Sequence, residues 1–186
     1  MGWYHGALDV GFLLLPCDTG ALALAQVLRI ELLAALPEDH PLSTRPEVPM
    51  RALADERLIL YARHFHPGCY DYIVHCCREA GFSPHFVRTH EPQLYSGDTT
   101  YRMVAAGAGI AIVVPPVGPA PLQSPGVAFR PLREPTPVLN VAAAWRPTDT
   151  SPTLRAFLEI VREYIPAEAR ASDPRSRSDD ALAPRD

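Results

Sequence analysis

The sequence predicts an α/β fold built on largely parallel sheets, and three observations carry that prediction. The first is the segment from Asp98 to Pro116, DTTYRMVAAGAGIAIVVPP, which changes hydrophobic period in its middle. Asp98 or Thr99 suits a helix N-cap, and Tyr101, Val104, Ala105 and Ala108 recur at helical spacing. Gly107 and Gly109 end the helix. Ile110 to Val114 then form an unbroken apolar, mostly β-branched run that Pro115 and Pro116 stop, the pattern of a strand buried on both faces. The second observation is that strand-like and helix-like stretches alternate along the chain, as βαβ units require. The third is size: 186 residues with 47% hydrophobic content suffice for one ordinary domain or two small lobes with a sizeable core.

Taken in order, Gly6 to Leu15 reads as a short apolar strand, and residues 16–26, rich in Pro, Gly and Ala, as a loop. Val27 to Leu36 is expected to be a single strand, with Arg29 and Glu31 alternating against apolar neighbours until Pro37 ends it. Residues 37–49 hold four prolines and form a turn-rich connection, after which Met50 to Ala54 can make a helical turn. Leu58 to Tyr61 is the next strand. The helix after it has Pro67 in its first turn and Gly81 at its end, with Cys69, Ile73, Cys76, Cys77 and Ala80 inward and Asp71, His75, Arg78 and Glu79 outward. Ser83 to His90 supplies a strand leading to the Asp98 helix. Residues 116–125 are a proline-rich loop, and Val127 to Leu132 and Val138 to Trp145 are strands. Ser151 caps a last helix with Pro152 in its first turn and Leu154, Phe157, Leu158, Val161 and Ile165 as its core stripe. Residues 166–186 shift to Ala, Arg, Ser, Asp and Pro and read as a disordered tail. The long connections near 37–49 and 131–138 divide the chain into a lobe I of residues 1–36 with 138–165 and a lobe II of residues 37–137.

Composition narrows the chemistry. A net charge of -4 argues against a nucleic-acid surface, so no direct DNA contact is expected. All 17 basic residues are arginine, which excludes Schiff-base, pyridoxal phosphate and P-loop lysine chemistry. No apolar run reaches the roughly 18 residues of a membrane helix, and MGWYHGALD has no basic region ahead of an apolar segment, so neither membrane nor signal peptide is expected. Four cysteines, two adjacent, do not form a disulfide framework, which fits a reducing cytoplasm.

The order of segments resembles a known family. GALDVGF, LLAALPEDHPL, LADERLILY, CREAGF, MVAAGAGIAIVVP, GVAFRPL, AAAWR and SPTLRAFLEIVREY, together spanning about residues 6–165, are similar to the effector-binding domain of LysR-type transcriptional regulators. The resemblance implies a type 2 periplasmic-binding-protein-like fold, with two lobes joined by two crossover strands and a small-molecule effector between them. It also implies where the effector is met. Pro67, Gly68 and Cys69 match family positions that line the site with backbone groups at a helix N-terminus; on physical grounds alone, the loop from Ala62 to Cys69 and the helix start at Asp98, Thr99 and Thr100 both qualify. Helix N-termini beyond the carboxyl ends of strands are physically suited to anions. In the aromatic-compound regulators that this chain resembles, effectors are often small carboxylates, although those members often have a polar or basic residue where Leu13 and Leu14 stand. Family members carry a winged helix-turn-helix, a linker helix and a strand-helix-strand-helix portion ahead of the GALDVGF equivalent. Five residues precede Gly6, so the first lobe is expected to be partial and to leave apolar surface uncovered.

Other chemistry is weighed against that reading. Arg63 and Arg102 can clamp an anion bidentately or stand as solvated surface arginines; the first reading places Arg63 in the effector site. Tyr61, Phe65 and Tyr101 line either an aromatic pocket or plain core. His64, His66, Cys69, His75, Cys76 and Cys77 invite zinc or copper, but their spacing matches no closed zinc motif, so neither metal nor cofactor is expected. No G-x-S-x-G elbow or Cys–His pattern marks an enzyme. The expected function is ligand sensing for a LysR-type regulator, with a stand-alone or non-sensing product as the alternative and an enzyme on the same fold disfavoured. Partners are a small-molecule effector and either a second copy or a full-length regulator.

Overall fold

The apolar run from Val27 to Leu36 is divided at Leu32. A computed structural model of the protein describes residues 8–87, 97–115 and 122–164, and in it the Leu32 N–H leaves both sheets and donates to the Pro137 carbonyl at 2.9 Å. The stretch is therefore two strands, β2 (Ala23–Glu31) and β3 (Leu33–Pro37), which belong to different sheets. The period-2 pattern is real within β2, where buried Ile30 separates exposed Arg29 and Glu31, but periodicity does not report a change of sheet. β2 also begins inside the stretch 16–26 expected to be a loop, because ladder pairing overrides the weak propensity of Ala23 and Ala25.

The described residues sort into two compact units, one drawn from Met1–Arg29 and Asn140–Asp186, the other from Ile30–Leu139. In the first, β1 (Val10–Leu15), β9 (Val138–Trp145) and β2 form a sheet in the order β1-β9-β2. β1 runs antiparallel to β9, with Val10 opposite Trp145 and Leu15 opposite Asn140. Helix α3 (Pro152–Tyr164) packs Leu154 and Leu158 against Ala143, with Val10, Val27, Trp145 and Phe157 around them. Ala143 is fully buried on β9, and its small side chain admits the helix. Burying Leu154, Leu158 and Val161 contributes about 1.5–3 kcal/mol each. Ile165, expected to extend this stripe, and residues 166–186, expected to be a tail, lie outside the described residues.

The second unit carries a six-stranded sheet in the order β4-β8-β3-β7-β5-β6, built from β4 (Val48–Pro49), β5 (Arg57–Ile59), β6 (His85–Phe86), β7 (Ile110–Val113) and β8 (Val127–Arg133) with β3. This sheet is mixed rather than largely parallel. β5 pairs parallel with β6 and β7, and β4 with β8, whereas β3 runs antiparallel between β7 and β8. Helical crossovers impose parallel pairing on β5, β6 and β7, but β3 enters from the neighbouring unit and takes the opposite direction. A fully buried strand has the same apolar run in either orientation, so the sequence does not distinguish them.

Two helices cover this sheet. α1 (Pro67–Glu79) buries Cys69, Ile73, Cys76 and Cys77 and exposes Asp71, His75, Arg78 and Glu79, as the period predicts. α2 (Gly97–Ala105) packs against β3, β7 and β8. Its buried Val104 joins Ala35, Ile59, Ala111 and Val127, with Tyr101, Met103 and Ala108 packed alongside. Ala105, expected on this stripe, is exposed; Met103 takes its place. Both helices end alike: Phe82 N–H reaches Cys77 O after Gly81 at φ +91, and Ala108 N–H reaches Met103 O after Gly107 at φ +72. Short 3-10 turns at Pro41–Thr44 and Met50–Leu53 fill the connection before β5. The expected Ser83–His90 strand is limited to His85–Phe86 among the described residues.

Candidate functional site

The N-terminal turn of α1 is assembled from its own sequence. Pro67 begins the helix without an N–H to satisfy, and His66 caps it: the Cys69 N–H donates to His66 Nδ1 at 3.3 Å, and the Tyr70 N–H to the His66 carbonyl at 3.0 Å. That leaves the Gly68 N–H without an acceptor among the described residues. No acidic residue lies in the first turn, so the positive end of the helix dipole is uncompensated from within. Of the three α1 residues expected at the site, only Gly68 thus offers a donor; Pro67 has none, and the Cys69 side chain is fully buried.

Arg63 lies just upstream and is engaged. Its guanidinium donates to Asp71 through Nε to Oδ1 at 2.7 Å and Nη2 to Oδ2 at 2.6 Å. This bond holds the Asp71 carboxyl below the usual carboxylate range. The pair is exposed, with 61% of the Arg63 side chain and 52% of that of Asp71 accessible, so solvent screens it and the fork can exchange partners.

The start of α2 differs. The helix begins at Gly97, so Asp98 and Thr99 lie in its first turn rather than ahead of it. Exposed Asp98 places a negative charge at the positive end of the helix. Thr99 and Thr100 are half-buried and already have partners. Tyr101 stacks edge-on to Phe129 with centroids 5.2 Å apart, and burial first, then the Asp98 charge, pushes its phenol pKa up. Tyr101 is therefore core, whereas Phe65 is 36% exposed with its ring 4.1 Å from that of His64.

The histidines and cysteines divide by location. His66 Nε2 lies 3.8 Å from the Cys69 sulfur, His75 is exposed and pairs with Glu79, and Cys76 and Cys77 are buried. Among the described residues no group of three His, Cys, Asp or Glu is placed to hold a metal ion. Sequence reasoning missed two contributors, His66 as the cap and Asp71 as the partner of Arg63. The first had a signal, a polar side chain directly before a Pro-Gly helix start; the second had none.

Residues 4–166 match the family described as LysR substrate binding domain. The chain belongs to that family. The LysR domain is 30% identical over 154 residues to the regulator BudR of Raoultella terrigena, covering 82% of this chain and 51% of that protein. It is 33% identical over 165 residues to the dual regulator OxyR of Escherichia coli (strain K12), covering 87% and 50%. The chain spans about half the length of the curated relatives it matches. Among solved structures, the BenM effector binding domain with its effector benzoate has a TM-score of 0.74 at 23% identity, covering 93% of this chain and 76% of that one. The reduced form of OxyR has a TM-score of 0.63 at 26% identity, covering 87% and 71%. These likenesses establish the fold expected from the resemblance, the mixed α/β, type 2 periplasmic-binding-protein-like fold of LysR effector domains.

Proposed function

We propose that this LysR domain senses a small carboxylate-bearing molecule for a transcriptional regulator and that the first turn of α1 holds the carboxylate. The observation that carries the reading is the Gly68 N–H, left without an acceptor among the described residues at the positive end of a thirteen-residue helix. Arg63 assists by exchanging Asp71 for the ligand, gaining a second bidentate partner of the same chemistry. The α2 start, Asp98 to Thr100, takes part through its threonine groups, since the Asp98 charge opposes a carboxylate there. The benzoate of the BenM domain supports the ligand class. The domain acts in the cytoplasm, is not an enzyme, leaves DNA contact to other segments, and pairs with a second copy or a full-length regulator.

A thermal-shift series with benzoate and short aliphatic carboxylates tests this. A ligand at a hundred times its Kd stabilises by about 2.7 kcal/mol. Gly68→Ala keeps the donor and retains the shift; Gly68→Pro removes it and abolishes the shift while circular dichroism still reports a folded protein. An equal shift in both variants discards the α1 site.

A further inference from the structure

Tyr72 stands one helical turn after Gly68, at i+4 on the same face of α1. Its hydroxyl oxygen accepts the Val138 N–H at 2.9 Å. Val138 opens β9, the strand that continues through Leu139 and Asn140 from one unit into the other. Its neighbour Pro137 has no N–H to give but accepts from Leu32 at 2.9 Å, so the outgoing and returning passages of the chain are bonded to each other. Tyr72 adds a bond from the helix to the returning passage, across 66 positions of sequence.

We propose that Tyr72 is a positioning residue that couples the first turn of α1 to the return connection, so that a ligand held at the Gly68 N–H is felt at Val138 and the entrance to β9. The inference rests on the α1 site proposed above. The coupling runs through a rigid helix and one side-chain hydrogen bond, a contiguous physical path one turn long. The phenylalanine ring reproduces the packing of the tyrosine, so Tyr72→Phe removes the bond and little else.

Residue-resolved hydrogen exchange on the wild type and Tyr72→Phe, with and without benzoate as the probe, tests the coupling. In the ligand-free variant the Val138 amide exchanges about tenfold faster, the effect of losing one hydrogen bond, while amides of the β5–β7 pairing are unchanged. With benzoate, the wild type gains protection at both Gly68–Tyr70 and Val138–Asn140; the variant gains the first and not the second. Cys76→Ala keeps the Val138 bond and exchanges there as the wild type does. Unaltered Val138 exchange in ligand-free Tyr72→Phe, or benzoate protection at Val138 surviving in that variant, overturns the proposal. If benzoate leaves the wild-type α1 amides unchanged, the carboxylate site falls, and the tie itself is then judged on Val138 exchange in the ligand-free proteins.

Discussion

Arg63 and Asp71 grip each other at both ends of the guanidinium fork, at 2.7 and 2.6 Å, across one turn of chain and one turn of helix. The arginine expected to hold an effector is therefore held by an internal carboxylate. Asp71→Asn frees the fork and raises benzoate affinity several-fold in a calorimetric titration; Arg63→Ala lowers it. Unchanged affinity in both variants removes Arg63 from the site. Because Arg63 holds the Asp71 carboxyl low, the pair's contribution is present above the ordinary carboxylate range and lost as pH falls through the depressed value. Salt weakens it, since both groups are exposed.

His66 caps α1 through the Cys69 N–H. His66→Ala leaves that donor unpaired and costs about 0.5–2 kcal/mol of stability, read as a lower denaturation midpoint, whereas His66→Asn restores most of it. A midpoint unmoved by His66→Ala means that water replaces the cap at no cost.

Gly109 sets how closely β7 approaches β5. A Cβ at this position would overlap the Arg57 carbonyl oxygen and stand 3.3 Å from a Val87 methyl. Backbone cannot yield as a side chain does, so Gly109→Ala destabilises by about 1–3 kcal/mol in urea unfolding. Gly107→Ala meets open space and costs roughly 1–2 kcal/mol through its left-handed backbone alone, at φ +72. Val87→Ala does not rescue Gly109→Ala, because the overlap is with the Arg57 backbone; a full rescue would show that the Val87 contact, not the backbone, sets the cost.

Cys77 is fully buried, and burial, helped by Cys76, pushes its thiol up to about 11. Burial likewise raises Cys76. At pH 8 both remain protonated and shielded, so a native thiol titration labels Cys17 first and reaches Cys76 and Cys77 only after guanidinium unfolding. Since the folded pKa of Cys77 lies above its unfolded value of 9.0, its stabilising effect is complete below pH 9 and is lost as pH rises toward 11. Cys77→Ala flattens that alkaline loss. Rapid native labelling of Cys77 would contradict the burial that the helix period and the structure both assign it.

The sequence by itself determined the local elements and the family. The 3.6-residue stripes of α1 and α3, the glycines after α1 and α2, and the Pro67 and Pro152 helix starts are short-range signals, each resolved within a turn or two of chain. The order of these segments was enough to place the chain in the LysR family, and Gly68 at a helix start was legible as a candidate donor. The direction of β3, the break at Leu32, the closure of Arg63 on Asp71 and the bond from Tyr72 to Val138 were decided only by the tertiary structure. Their partners are set by folding rather than by neighbours in sequence. Strand direction leaves no trace in an apolar run, and a hydroxyl or guanidinium carries no mark of which distant group it will meet.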